Sequence, residues 1–310
     1  MVSTHSYTAK DYLSPETLSH LAGMELRARM VVEGLMTGMH RSPHRGTSIE
    51  FAQHRPYTPG DDLRHLDWKV FGRTDKLYIK EHHQETTLDL MILVDASGSM
   101  EYGSQLANGN HWRKYDHATA IAAAIAYLAL VQQDRVGLII YADEFLETVR
   151  PSSNRGQWRS IVEALCTQPV DRPTHMGRVF DQLVAQNHQH TLMVIISDLF
   201  DDIDVLEAGM AKIHHARHDA ILCHTLDQDE LNFTMRNPVR FLGLEDDGEL
   251  DIDPGSIRNA YLESFNTHIQ AIEAQARRFR FDHALLDTSK PVGPVLSHFL
   301  AHRASILSKD

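Results

Sequence analysis

The sequence predicts an α/β protein: a doubly wound, mostly parallel sheet with helices on both faces, plus a small N-terminal helix/β module and a β-hairpin insertion. Three observations predict it. From residue 86 onward, short apolar runs alternate with helical stretches. Several of those runs, Leu88–Val94 and Thr191–Ser197 above all, are almost continuously apolar, as parallel strands covered on both faces must be. Alternation of strand and helix in turn implies right-handed crossovers between parallel neighbours.

Taken in order, residues 14–36 read as a helix, with Ser14 as cap, Pro15 at the first turn, and Leu18, Leu21, Met24 and Leu35 on or near one face. Residues 37–80 are turn-rich. Thr58-Pro59-Gly60-Asp61 suits a type II turn, with Pro then Gly at its centre. Asp61 or Asp62 then caps a short helix through Leu66 and Val70, and "KLYIKE" closes the section as a strand. Residues 1–85 form the N-terminal module and 86–310 the main domain. Within the latter the strands are Leu88–Val94, Val136–Tyr141, Thr191–Ser197, Ala220–Thr225 and Ala284–Asp287. The helices are Tyr115–Gln133, Gln157–Cys166, Met176–Gln186, Val205–Arg217, Ile257–Phe279 and Val292–Ile306. The first of these is rich in Ala, which lets a helix approach a sheet closely. Residues 232–255 carry a Gly-centred acidic turn between extended segments and read as the inserted hairpin.

Composition narrows the function classes. A chain of 310 residues buries about 75% of its unfolded surface. The net charge of -12 argues against nucleic acid or an anionic membrane as the main partner. Two cysteines, Cys166 and Cys223, make neither a disulfide framework nor a metal motif, and fit a reducing cytoplasm. No run approaches the ~20 apolar residues of a membrane span, and the first residues lack the apolar core of a signal peptide. The expectation is a cytoplasmic protein without a membrane span. The 21 histidines are scattered, without the spacing of a metal motif, and read as surface residues.

The chemistry concentrates at "LDLMILVDASGSM", residues 88–100. A buried strand ends at Asp95, and Ser97 and Ser99 follow. The nucleophile elbow G-x-S-x-G is absent here, and no lysine follows as a phosphate loop requires. One carboxylate and two hydroxyls at alternate positions are hard oxygen donors. They suit Mg²⁺, or Mn²⁺ in its place, with Ca²⁺ as a further candidate. More ligands must come from other strand ends. Asp198 follows the apolar run "VIIS", and Thr174 precedes the helix at Met176. The competing reading of residues 95–99 is a capped strand-to-helix turn without metal. Asp201 and Asp202 read as a solvated helix start.

Asp95, Ser97 and Ser99, with Thr174 and Asp198, resemble the metal-ion-dependent adhesion site of von Willebrand factor A domains, a Rossmann-like fold. "DRVGLIIYADEF" (134–145) resembles the strand and turn after that fold's long helix. "EFAQHRPYTPGDDLRHLDWKVFGRTDKLYIKEH" resembles the signature of the Domain of Unknown Function 58 family, which pairs such a segment with a von Willebrand A-like domain. The stretch from Tyr261 to Leu300 resembles its C-terminal end. The resemblance implies Ser97, Ser99 and Thr174 as direct ligands, with Asp95 and Asp198 acting directly or through water. It implies an open metal position for an acidic group on a protein partner. It also implies a MoxR-type AAA+ ATPase as companion, in assembly or remodelling of client proteins. Pro173 and His175 around Thr174 depart from the usual flanks, and many family members carry transmembrane helices.

The resulting expectation is a binding module and not an enzyme. Two alternatives stand beside it: a metal-dependent hydrolase or phosphatase, and a structural scaffold with an empty metal site. The sign-mixed segment Arg55, Tyr57, Gly60, Asp61, Asp62, Arg64, Asp67, Trp68 and Arg73 reads either as an internal ion-pair network or as a docking surface.

Overall fold

In a computed structural model of the chain, the structure describes residues 45–58, 66–83, 88–107, 110–154, 156–167, 172–186, 189–235, 239–242, 249–252 and 254–290. The expected helices at 14–36 and 292–306 lie outside these residues, as do most of the expected type II turn and both Asp61 and Asp62. The described chain divides into two compact units, before and from Leu88.

The first unit is an antiparallel pair, β1 (Arg45–Pro56) and β2 (Tyr78–His83), with one short helix, α1 (Trp68–Thr74). The helix begins after Leu66 rather than running through it. Asp67 supplies its cap: Oδ1 accepts from the Lys69 and Val70 amides at 2.9 and 3.2 Å. β1 was not expected, because Gly, Pro and charge mask a short period-two pattern at Ile49 and Phe51. β2 falls where "KLYIKE" predicts a strand. Trp68 is 65% exposed.

The second unit holds a six-stranded sheet in the order β12-β9-β8-β3-β6-β7. Its strands are β3 (Asp89–Asp95), β6 (Arg135–Tyr141), β7 (Phe145–Ser152), β8 (Leu192–Ser197), β9 (Asp219–Leu226) and β12 (Asp282–Asp287). The five expected strands are all present. All neighbours run parallel except β6 and β7. β7 is a finding beyond the sequence reading. It is an edge strand, carrying exposed Glu147 and Arg150 and then Pro151, so it shows no apolar run.

Two layers of helices cover the sheet. Met91, Leu93, Ile139, Met193, Ile195 and Leu222 pack against α4 (Met176–Gln186), α5 (Ile203–His215) and α7 (Pro254–Arg278), through Phe180, Leu183, Met210, Ile213 and Ile272. The alternate residues, such as Leu90, Ile92 and Val94, are fully buried on the other face. There α2 (Lys114–Val131) lies along β3, β6, β8 and β9, with α3 (Gln157–Thr167) beside it. α2 is buried on nearly every side, which its alanines permit. Gly209 of α5 lies so close to Phe180 of α4 that a Cβ there would overlap the ring.

The remaining elements are small. β4 (Gln105–Ala107) and β5 (Asn110–Trp112) pair antiparallel within the stretch read as a polar loop. The Asn108-Gly109 dipeptide between them in the sequence is the unused signal for a two-residue hairpin. α6 (Gln228–Asn232) follows β9. β10 (Val239–Leu242) and β11 (Glu249–Ile252) form the expected inserted hairpin. Among the described residues no helix is long and apolar enough to cross a membrane.

Candidate functional site

The chain enters the sheet at β3, builds β6 and β7 on one side, and returns to build β8, β9 and β12 on the other. The switch point therefore lies between β3 and β8, where ligands of open α/β sheets bind at the carboxyl edge. Asp95 ends β3 and Asp198 follows β8, one on each side of it.

Asp95 is fully buried and both its oxygens accept hydrogen bonds. Oδ1 takes the Ser97 amide at 2.9 Å and Oδ2 takes the Ser197 hydroxyl at 2.5 Å. The Ser97 and Ser99 hydroxyls stand 3.1 Å apart. The turn from Asp95 runs into a short 3-10 helix, Gly98–Glu101, and is fixed by its neighbours as well. The Ala96 amide bonds to Tyr141 O at 2.7 Å and the Gly98 amide to Arg172 O at 2.6 Å. The second bond brings residues 172–175 alongside Ser97, with Ser97 and Arg172 in a parallel bridge. His175 N bonds to Ala142 O, and Asp201 Oδ2 takes the Met176 amide at 3.2 Å. Thr174 thus sits half-buried on a strap fixed at both ends, between exposed Pro173 and His175. Asp201, read as simply solvated, caps the neighbouring helix.

The turn after β8 is strained. Leu199 is buried at φ 53°, a left-handed conformation costly for a bulky residue. Ser197 Oγ accepts its amide at 2.9 Å and His268 Nε2 lies 3.2 Å from its carbonyl. The kink leaves Asp198 Oδ1 near the Phe200 amide, at 3.3 Å, and turns Oδ2 inward. There it meets Lys114 Nζ at 2.8 Å. The ammonium also donates to Glu230 Oε1 at 2.7 Å and lies 5.1 Å from the centre of the Phe200 ring. Lys114 is 1% exposed, a cation in the first turn of a helix that is mostly apolar after Thr119. Phe200 is 37% exposed, stacks on His268 and packs at a tilt against Phe265.

A third buried carboxylate, Asp227, extends the polar cluster. Glu230 Oε2 accepts the Asp227 amide at 2.7 Å. Asp227 accepts the Asp229 amide and the Thr288 hydroxyl, each at 2.9 Å, as well as the amide and hydroxyl of Ser104. It thereby ties the ends of β9 and β12 to the segment before β4.

Burial and the charge of Asp198 push the Asp95 carboxyl up to about 7, against the hydrogen bonds from Ser197 and Ser97. Burial, with the Asp95 charge next, holds the Tyr141 phenol well above its ordinary value. Burial opposes the Lys114 charge, but Asp198 and Glu230 outweigh it and raise its pKa.

The structure therefore gathers Asp95, Ser97 and Ser99 in one turn, sets Asp198 across the switch point, and brings the strap bearing Thr174 beside Ser97. Among the described residues no group of three or more His, Cys, Asp or Glu side chains is placed to hold a metal ion. A metal here would lean on hydroxyls. Sequence reasoning missed Ser197, Lys114, Asp227 and Glu230.

A family model described as "Protein of unknown function DUF58" matches residues 53–271. The uncharacterized proteins Rv1480 of Mycobacterium tuberculosis and Mb1516 of Mycobacterium bovis are each 26% identical over 263 residues, 83% of this chain and 80% of theirs. Among solved structures, BatB from Bacteroides thetaiotaomicron aligns with TM-score 0.43 at 13% identity, over 70% of this chain and 99% of its own. The SpRpn10 VWA domain aligns with TM-score 0.37 at 14% identity, over 68% and 94%.

Proposed function

This chain belongs to the DUF58 family of proteins of unknown function, and we propose that its sheet edge is a divalent-metal-dependent protein-binding site. One observation carries the reading: the Ser97 and Ser99 hydroxyls are 3.1 Å apart beside a buried carboxylate. Adjacent ligands of an octahedral Mg²⁺ with bonds near 2.1 Å stand about 3 Å apart. The donor set therefore fits Mg²⁺ or Mn²⁺. Ser97, Ser99 and Thr174 would hold the ion directly. Asp95, whose two oxygens are already engaged by Ser97 and Ser197, would act through water, and Asp198 directly or through water.

Bound there, the metal supplies a Lewis-acidic position for a Glu or Asp of a protein partner. The protein's own part is orientation. The Ser97 amide fixes the Asp95 carboxylate, and the Arg172 carbonyl fixes the turn that presents both serines. The hydrogen bonds on Asp95 suit an orienting group rather than a nucleophile, which favours binding over hydrolysis. The family resemblance makes a MoxR-type AAA+ ATPase the proposed companion, acting in the cytoplasm on assembly or remodelling of clients.

The test is capture of the candidate ATPase by the full chain with Mg²⁺ and with chelator. Capture is expected only with Mg²⁺, and Asp95→Ala should fold yet fail to capture. Equal capture with and without chelator would sink the reading.

A further inference from the structure

Asp198 reaches the candidate site with a cation already attached. Lys114 Nζ lies 2.8 Å from its Oδ2, and the ammonium is held from behind by Glu230 at 2.7 Å. All three groups are removed from bulk water: the side chains of Lys114, Asp198 and Glu230 are 1%, 2% and 15% exposed. The arrangement is built on rigid elements. Lys114 stands in the first turn of α2, and its amide bonds to Tyr102 O at 2.8 Å. Glu230 is locked by its bond to the Asp227 amide, and Asp198 by the strained turn at Leu199.

We propose that Lys114 is a built-in cation that competes with a divalent metal for Asp198, and so sets the site's metal affinity. The inference rests on the proposed metal site and assigns a new residue to it. An ammonium and a metal ion repel one another, and each draws on the same carboxylate. Glu230 moderates the competition, because it shares the ammonium and weakens its hold on Asp198. Two variants should then shift affinity in opposite directions. Glu230→Gln leaves the ammonium to Asp198 alone and should weaken metal binding. The double variant Lys114→Met/Glu230→Gln removes one charge of each sign, leaves the local net charge unchanged, and frees Asp198. It should bind more tightly.

The experiment is calorimetric titration of the full chain with MnCl2 alone, with folding of each variant checked by circular dichroism and thermal melting. The double variant should bind Mn²⁺ about tenfold more tightly than Glu230→Gln, with wild type between them. Wild type that binds Mn²⁺ while the double variant binds no better overturns the inference and leaves the metal site standing. Wild type without measurable binding, and a double variant that binds, supports the inference and overturns metal dependence of the native protein. No binding to any of the folded proteins overturns both. If Lys114→Met/Glu230→Gln does not fold, the comparison of Glu230→Gln with wild type decides by itself, since unchanged or tighter binding overturns the competition.

Discussion

Ser197, the last residue of β8, donates its hydroxyl to Asp95 Oδ2 at 2.5 Å across the strand boundary. Ser197 Oγ also accepts the Leu199 amide, so one small side chain joins the first strand's carboxylate to the strained turn of its neighbour. Ser197→Ala leaves a buried carboxylate oxygen and a buried amide without this partner. The expected loss is about 1–3 kcal/mol of stability by urea unfolding, with Asp95 titrating higher still by NMR. Unchanged stability would show that water replaces the hydroxyl.

Asp227 collects more donors than any metal-site candidate. Asp227→Ala strands the neutral Ser104, Asp229 and Thr288 donors together, and a loss of about 1–3 kcal/mol is expected, as for buried donors left without their acceptor. Hydrogen exchange should quicken first in the hairpin of β4 and β5 and at the end of β12. A uniform change across the sheet would contradict that local role.

Much of this was legible before any coordinates. The strands of the parallel sheet announce themselves because both faces are buried, so Leu90–Val94 and Leu192–Ile196 leave no polar residue until the carboxyl edge. The carboxylates are legible for the same reason, as Asp95 and Asp198 are where the apolar runs stop. Lys114 was not, because its partners stand 84 and 116 residues away along the chain. β7 was not, because an edge strand is half wet and needs no apolar run. Asp67 hid among neighbouring aspartates, and its role as the cap of α1 depends on where the helix starts.

Packing between α4 and α5 gives a test independent of the site. Gly209→Ala places a methyl into the Phe180 ring, inside the core. Overpacking of this kind costs about 1–3 kcal/mol, which exceeds the gain in helix propensity of about 1 kcal/mol. Thermal melting should show a net loss. Phe180→Leu should restore part of it in the double variant.

Stability should depend on pH through groups of opposite sign. Burial holds His117 at about 4 and His224 at about 3, below the ordinary 6.5. Each contributes stability that is present above pH 6.5 and is lost as pH falls below it. Asp95, raised to about 7, does the reverse: its folded form keeps a proton that the unfolded chain releases near 3.8, so it costs stability as pH rises. Between about pH 4 and 6.5 the three histidines lowered by burial, His117, His224 and His283, outweigh the raised carboxyls of Asp95 and Glu230, and stability rises with pH by about 1.4 kcal/mol per unit. Between 6.5 and 7 Asp95 still titrates, and the curve turns down. Melts across pH 4.5–8 should show this maximum, and Asp95→Asn should steepen the rise and abolish the fall.

The hydrogen bond from Ser197 to Asp95 spans 102 residues of chain. Local bonds shape the turn from Asp95 to Ser99, but nothing local joins it to the end of β8. That junction comes into being only when β8 docks beside β3, which places it among the late, non-local events of folding. Whatever grips this edge therefore samples molecules whose sheet is already closed at the middle. A partner of the proposed kind would meet the assembled edge only in chains where β3 and β8 have already paired.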